Sequence, residues 1–423
     1  MHTILIRNAL IVSQDASRRV FRGNIFIEGD HIKDVSAPGK EDGADEILDA
    51  SNLIAMPGLI NTHCHVAMTH LRGFIDDIPL SGFLEKTFRL DAERTDEGMY
   101  NSSLLGTKEM INSGITSFLD LYYGEDIVAQ AAKKSGIRAF LAWNTLDQDK
   151  TTQKGNPVKN AEHFIQEFSK EKMITPAIGV QGVYVAGDET YLAADDVSRR
   201  YSTLIHGHLS ETREEVYNFV KGHGGKRPIE HLSEIGFLSQ RFIAAHCVWA
   251  TLNEVRMMAM KGSRVSWNPV SNAKLGVGGT APVPEFVSNG ILVSLGSDST
   301  ASNNSQDIWS AMKFGSISVK NERWNPAVTN AQMMLDMGTI NAAHSLNRSD
   351  IGSIENGKLA DIVMLDMSTP ELIPTTPENA ISNIVYSAGT SSVSDVIIGG
   401  KFVKRNHRLL DFDPEMFRDA NFY

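Results

Sequence analysis

The sequence predicts an α/β chain: a (β/α)8 TIM barrel with a small β-sandwich domain built from both termini. Three observations predict it. Eight apolar runs of strand length alternate with amphipathic helical stretches between residues 57 and 349. Strands that are apolar throughout belong to parallel sheets covered on both faces. Eight of them, over roughly 250 residues, suit a closed barrel. Finally, short β-rich runs fill residues 1–56 and recur over 350–423. The expected domains are therefore 1–56 with 350–423 as one composite β unit, and 57–349 as the barrel.

The N-terminal runs are "TILIRNALIVS" and "NIFIEGDHIKDVS", with "EGDH" as a hairpin turn signal. The barrel runs follow at 58–65, 115–122, 137–143, 174–180, 202–209, 242–248, 265–269 and 291–298. Helix candidates lie between most of them. "DEGMYNSSLLGTKEMINSG" (96–114) is one, and it ends on a glycine suited to a C-cap. The C-terminal runs are "DIVMLDM" and "VSDVIIGGKFVKRNHRLL", the latter with a Gly-Gly turn.

The chain has 423 residues, 42% of them hydrophobic, enough for a large core. A net charge of −11 and no basic stripe argue against a nucleic-acid partner. No apolar run is long enough for a membrane span. "MHTILIRNALIVSQD" alternates and does not resemble a signal peptide. Only Cys64 and Cys247 are present, which suits a reducing, cytoplasmic setting.

In such barrels the chemistry sits at the C-terminal ends of the strands. The first run ends His63-Cys64-His65. Side chains alternate along a strand, so the histidines share a face and Cys64 points away. The fifth run holds His206 and His208, with Glu211 just beyond; the sixth holds His246; the eighth ends at Asp298. Each admits a plainer account on its own. A single histidine packs as a satisfied core residue, Asp298 could cap a helix, and Glu211 suits the first turn of one. Together they converge on one barrel mouth, where burying so many imidazoles beside a carboxylate is costly without a partner. A divalent ion, Zn2+ or Fe2+, answers that cost, with His63, His65, His208 and Asp298 as ligands. His206, deeper on the same face, reads as structural or as support behind the ligands.

The set "PGLINTHCHVAMTHLRG", "HLSET", "AAHCV", "NPVSNAKLG" and "LGSDSTASNN" resembles the amidohydrolase superfamily over nearly the whole chain. Its closest likeness is to the branch of S-adenosylhomocysteine/methylthioadenosine deaminases and triazine hydrolases. The resemblance implies a hydrolytic deaminase of an aromatic N-heterocycle or nucleoside-like substrate. It gives Asp298 and Glu211 proton-transfer roles and makes His246 a hydrogen-bond donor to the attacking oxygen. The fourth run, "TPAIGVQGVY", carries no lysine to bridge a second ion, so the resemblance implies a single metal. It also makes a homo-oligomer a reasonable expectation. A triazine-type chloro- or amidohydrolase and a non-catalytic scaffold are the competing readings.

On the substrate side the chain departs from the adenosyl-deaminase pattern. Ala92, Trp143 and Val183 stand where that pattern has a glutamate, an arginine and a histidine. Trp143 and Tyr184 offer flat faces for a ring, or else pack at the rim. Asn303 is a further mouth residue that contacts substrate or orders its loop. The expectation is an aminated heterocycle bound without the usual adenosyl contacts, or an adenosyl-type nucleoside held by altered ones.

Overall fold

The computed structural model describes residues 1–37, 43–78, 80–418 and 420–422. Eight strands form the barrel: β1 (Leu59–Cys64), β2 (Ile115–Tyr122), β3 (Arg138–Thr145), β4 (Ile174–Val180), β5 (Ile205–Leu209), β6 (Phe242–His246), β7 (Arg264–Trp267) and β8 (Val293–Leu295). Each pairs in parallel with the next in sequence. These are the eight expected runs, with ends moved by a few residues. Every residue of β2, β5 and β6 is buried, because helices cover one face and the lumen is filled with side chains.

The seam between β8 and β1 is stitched by small polar groups. Thr62 Oγ1 lies within 2.7 Å of Ser266 Oγ and 2.8 Å of Ser294 Oγ. Asn61 Nδ2 donates to Ser297 Oγ at 2.7 Å, and its Oδ1 accepts from Ser297 N–H at 3.0 Å. Local chemistry also sets the helix ends. Thr95 Oγ1 accepts from Gly98 N–H at 3.0 Å at the start of the helix Asp96–Asn112. Ser113 caps the other end, and Gly114 turns left-handed at φ +86 into β2.

Strands from both termini form a second sheet of nine strands. Leu53–Pro57 joins the halves: it pairs in parallel with Thr3–Val12 and antiparallel with Ile362–Asp366. The sheet curls back on itself, so that Ile25 and Ile27 share one core with Ile362 and Ile397. Its two far turns meet at Gly400. A Cβ there would lie 1.9 Å from the Gly29 carbonyl oxygen, and its φ is +72, so only glycine fits. The sheet is pinned to the N-terminal end of the barrel by Arg138, which opens β3 and pairs with Asp361 at 3.0 Å. Among the described residues no helix is long and apolar enough to cross a membrane.

Candidate metal and proton-transfer site

The polar residues expected at the barrel mouth come together there. His63 lies in β1, His65 follows it, His208 lies in β5, His246 ends β6, and Glu211 and Asp298 follow β5 and β8. All six are buried. Cys64 faces away, with Sγ 3.1 Å from Asp120 Oδ1. Ser210, His246 and Asp298 have φ of 49, 72 and 66, so three of these strand ends turn left-handed. Such residues cost free energy and persist only where the surroundings hold them.

The hydrogen bonds settle which ring nitrogens carry protons. His65 Nδ1 is 2.6 Å from the Leu121 carbonyl, and His208 Nδ1 is 2.5 Å from that of Gln181. A carbonyl only accepts, so both Nδ1 atoms are protonated. His206 Nδ1 meets the Ile243 carbonyl at 2.8 Å by the same rule. Its Nε2 is then the acceptor for His63 Nδ1–H at 2.8 Å. His206 thus orients His63 and fixes its tautomer, the support role that ligating histidines usually receive from a carbonyl or carboxylate.

All three outward Nε2 atoms therefore bring lone pairs into one space. His65 and His208 Nε2 stand 3.3 Å apart. Asp298 Oδ1 is 3.4 Å from His65 Nε2 and 3.6 Å from His63 Nε2, and His63 Nε2 has no hydrogen-bond partner. A single proton could bridge two of these acceptors but not four. The donor set fits a divalent cation, and it is the nitrogen-and-carboxylate mixture that zinc and iron take. Ser271 Oγ donates to Asp298 Oδ2 at 2.5 Å, leaving Oδ1 turned to the histidines.

Glu211 and His246 stand beside this set, Glu211 Oε2 lying 3.8 Å from His246 Nε2. Burial, with the Asp298 and Glu215 carboxylates behind it, holds the Glu211 carboxyl well above its usual range. Burial lowers His246 to about 4 and keeps His63 and His208 well below the usual imidazole range. Burial alone would raise Asp298, and a proton on the neighbouring imidazoles, His63 first, would pull it well below the usual carboxylate range. Glu211 is placed by Glu215, whose carboxylate accepts from the N–H groups of Ser210 at 2.9 Å and Glu211 at 2.7 Å. Thr212 and Glu215 complete a capping box on the following helix.

A cavity of about 410 Å³ opens over these groups. Met68, Phe83, Tyr122 and Leu275 make its apolar wall, and Asn144, Gln181 and Tyr184 its polar one. Of the substrate candidates, Tyr184 lines this cavity. Trp143 and Ala92 line an adjoining cleft, and Val183 lines another cleft on the far side of Tyr184. Trp143 packs on Phe164 with ring centres 5.7 Å apart. Asn303 Nδ2 donates to the Ser297 carbonyl at 2.7 Å, ordering the loop after β8. Asn144 and Gln181 were missed in the sequence. The signal was the pleat: Asn144 follows Trp143 in β3 and so faces the opposite way.

The amidohydrolase family matches residues 54–403 of the chain. A 5'-deoxyadenosine deaminase of Methanocaldococcus jannaschii is 38% identical over 97% of this chain and 96% of its own length. A 5-methylthioadenosine/S-adenosylhomocysteine deaminase of Caldicellulosiruptor saccharolyticus is 35% identical over 97% of this chain and 95% of its own. Among solved structures, an adenosine deaminase of Xanthomonas campestris with bound zinc superposes with a TM-score of 0.93 at 27% identity. That match covers 98% of this chain and 95% of the other.

Proposed function

From the premise that the chain belongs to the amidohydrolase family, we propose that it deaminates an adenosine-type nucleoside, using one divalent metal held by His63, His65, His208 and Asp298. Its reaction class is hydrolytic deamination of an aminated heterocycle or nucleoside-like molecule. One observation carries the residue assignment: acceptor atoms of His63, His65, His208 and Asp298 converge beneath a cavity that also presents Glu211 and His246.

A metal ion bound there supplies Lewis acidity and lowers the pKa of water toward neutrality. The chain's own groups supply the rest. Glu211, in its protonated form, passes its proton to the ring nitrogen beside the amino-bearing carbon. Such positioned transfer is worth about 10² to 10⁴ in rate. Asp298, as a carboxylate, takes a proton from the attacking water. His246 hydrogen-bonds the oxygen that develops charge. The amino group leaves as ammonia by taking the proton that Asp298 accepted, the new hydroxyl returns its proton to Glu211, and a carbonyl remains on the ring.

The relatives named for adenosine-type nucleosides support the substrate, and so does the cavity's size, which lies in the usual range for small ligands. Ala92, Trp143 and Val183 do not line the cavity. Contacts to the substrate therefore fall to the residues that do line it, Asn144, Gln181 and Tyr184 among them. The test is ammonia release from a panel of adenosine-type nucleosides, free purines and aminotriazines, alongside metal analysis. Nucleosides are expected to be turned over fastest, and His63→Ala to lose both metal and activity. Full metal content and full turnover in His63→Ala would overturn the ligand assignment. Faster turnover of free bases or triazines would overturn the substrate.

A further inference from the structure

Four histidines, not three, surround Asp298. Donor atoms of His63, His246 and Asp298 converge within 4.8 Å, just as those of His63, His65 and His208 do. By distance alone His246 is as eligible a ligand as the others. What differs is the group behind each ring. His63, His65 and His208 each turn Nδ1 toward an acceptor. His246 Nδ1 is instead approached by two amide nitrogens, Asn272 Nδ2 at 2.8 Å and Asn268 Nδ2 at 3.2 Å.

With both NH2 groups turned to it, Nδ1 of His246 is the acceptor and its proton sits on Nε2; the Oδ1 atoms of Asn268 and Asn272 are then buried without a partner. This protonation reverses the tautomer of the other three rings. A protonated Nε2 has no lone pair to give a metal, but it can donate a hydrogen bond into the cavity. Asn268 ends β7's run into the short helix Pro269–Lys274, and Asn272 lies within it, both buried. Ser271 of the same helix holds Asp298 Oδ2. One turn of chain after β7 thus directs a carboxylate toward the metal position and turns a histidine into a donor.

We infer that Asn272, seconded by Asn268, is a positioning residue that keeps His246 out of the metal's ligand set by fixing its proton on Nε2. The inference rests on the proposed ligand set. Asn272→Asp inverts the polarity: a carboxylate accepts from Nδ1–H and leaves Nε2 with a free lone pair.

The test begins with the unaltered, zinc-loaded protein labelled with ¹⁵N-histidine, the His246 signals being assigned by their loss in His246→Gln. The expected spectrum has a protonated Nε2 and an unprotonated Nδ1. In Asn272→Asp the proton is expected on Nδ1. The cobalt-substituted variant should show a visible spectrum shifted toward higher coordination. Its kcat should fall by about 10² to 10³, the usual loss for one donor to a developing oxyanion, with KM little changed. A proton on Nδ1 of His246 in the unaltered protein, as an amide turned the other way would give, overturns the inference. So does an Asn272→Asp variant with unchanged spectra and kcat. Failure of the unaltered protein to take up zinc overturns the ligand set itself, and is a separate result.

Discussion

The backbone N–H of Asp298 donates to the carbonyl oxygen of His63 at 2.8 Å. The side chains of the same two residues face each other 3.6 Å apart, Nε2 to Oδ1. One of the bonds that bring the end of the barrel back to its beginning is therefore made by two residues of the site. The seam of the fold and the proposed ligand set therefore share residues. The left-handed turn at Asp298 is the local cost of that arrangement.

Gly296, two residues before Asp298, makes the closure possible. A Cβ there would meet Asn268 Oδ1 at 2.3 Å, His63 Cβ at 2.7 Å and the His63 carbonyl at 2.9 Å. Asn268 Oδ1 is the end of a fully buried side chain, and the other two atoms, a Cβ and a backbone carbonyl, cannot swing aside. Gly296→Ala is expected to push β8 from β1, destabilise the fold by about 1–3 kcal/mol as overpacked cores do, and weaken metal uptake. Urea unfolding together with metal analysis checks it. An alanine variant with wild-type stability and metal content would show that the seam yields more easily than its contacts imply.

Glu211 predicts the alkaline side of the pH profile. A general acid works in its protonated form, and its raised pKa extends that form to higher pH than an ordinary carboxyl. kcat is therefore expected to fall as pH rises through the raised value. Glu215 contributes to the elevation as a neighbouring negative charge. Glu215→Gln removes that charge, so the alkaline limb should move to lower pH. The check is kcat at saturating substrate from neutral to alkaline pH. A limb that stayed in place would assign it to some other group.

The barrel was legible because strands buried on both faces leave an unbroken apolar signature, and all eight runs became strands. The acidic and imidazole groups were legible for the opposite reason: His63, His65, His208 and Asp298 interrupt apolar strands where burial makes them costly. Partnerships made across strands left no such mark. His206 supports His63 from β5 to β1, and Asn272 reaches His246 from the segment after β7. No spacing within one element encodes either. On β3 the cavity residue was misplaced by a single step of the pleat. Trp143 turns outward onto Phe164, while Asn144 faces the cavity.

Arg138 and Asp361 predict a stability effect that leaves chemistry alone. The pair is 3% and 2% exposed and lies at the barrel end opposite the site. Asp361 Oδ1 also accepts from Gly399 N–H at 2.7 Å, so one carboxylate ties together barrel and terminal sheet. Arg138→Met strands that charge in the interior, and breaking a buried pair in this way costs about 3–5 kcal/mol. The urea midpoint should drop accordingly, while kcat of the folded fraction stays near wild type. The double variant Arg138→Met/Asp361→Asn should recover part of the loss. If the single variant unfolds at the wild-type midpoint, the two sheets are held by other contacts.

Gln181 separates holding the metal from holding the substrate. Its main-chain carbonyl accepts from His208 Nδ1–H at 2.5 Å. Its side chain accepts from Asn144 Nδ2 and donates to Tyr184 OH at 3.1 Å, joining the polar wall of the cavity. Gln181→Ala keeps the carbonyl and removes the wall. Metal content should therefore be unchanged. Loss of the ordered wall, at about 0.5–1.5 kcal/mol per hydrogen bond, should raise KM by about tenfold with kcat within about threefold. Steady-state kinetics on the best nucleoside of the panel, with metal analysis beside it, reads both quantities. A fall in kcat at constant KM would move the side chain from the wall to the chemistry. Loss of metal would mean that the His208 support depends on more than the carbonyl the variant retains.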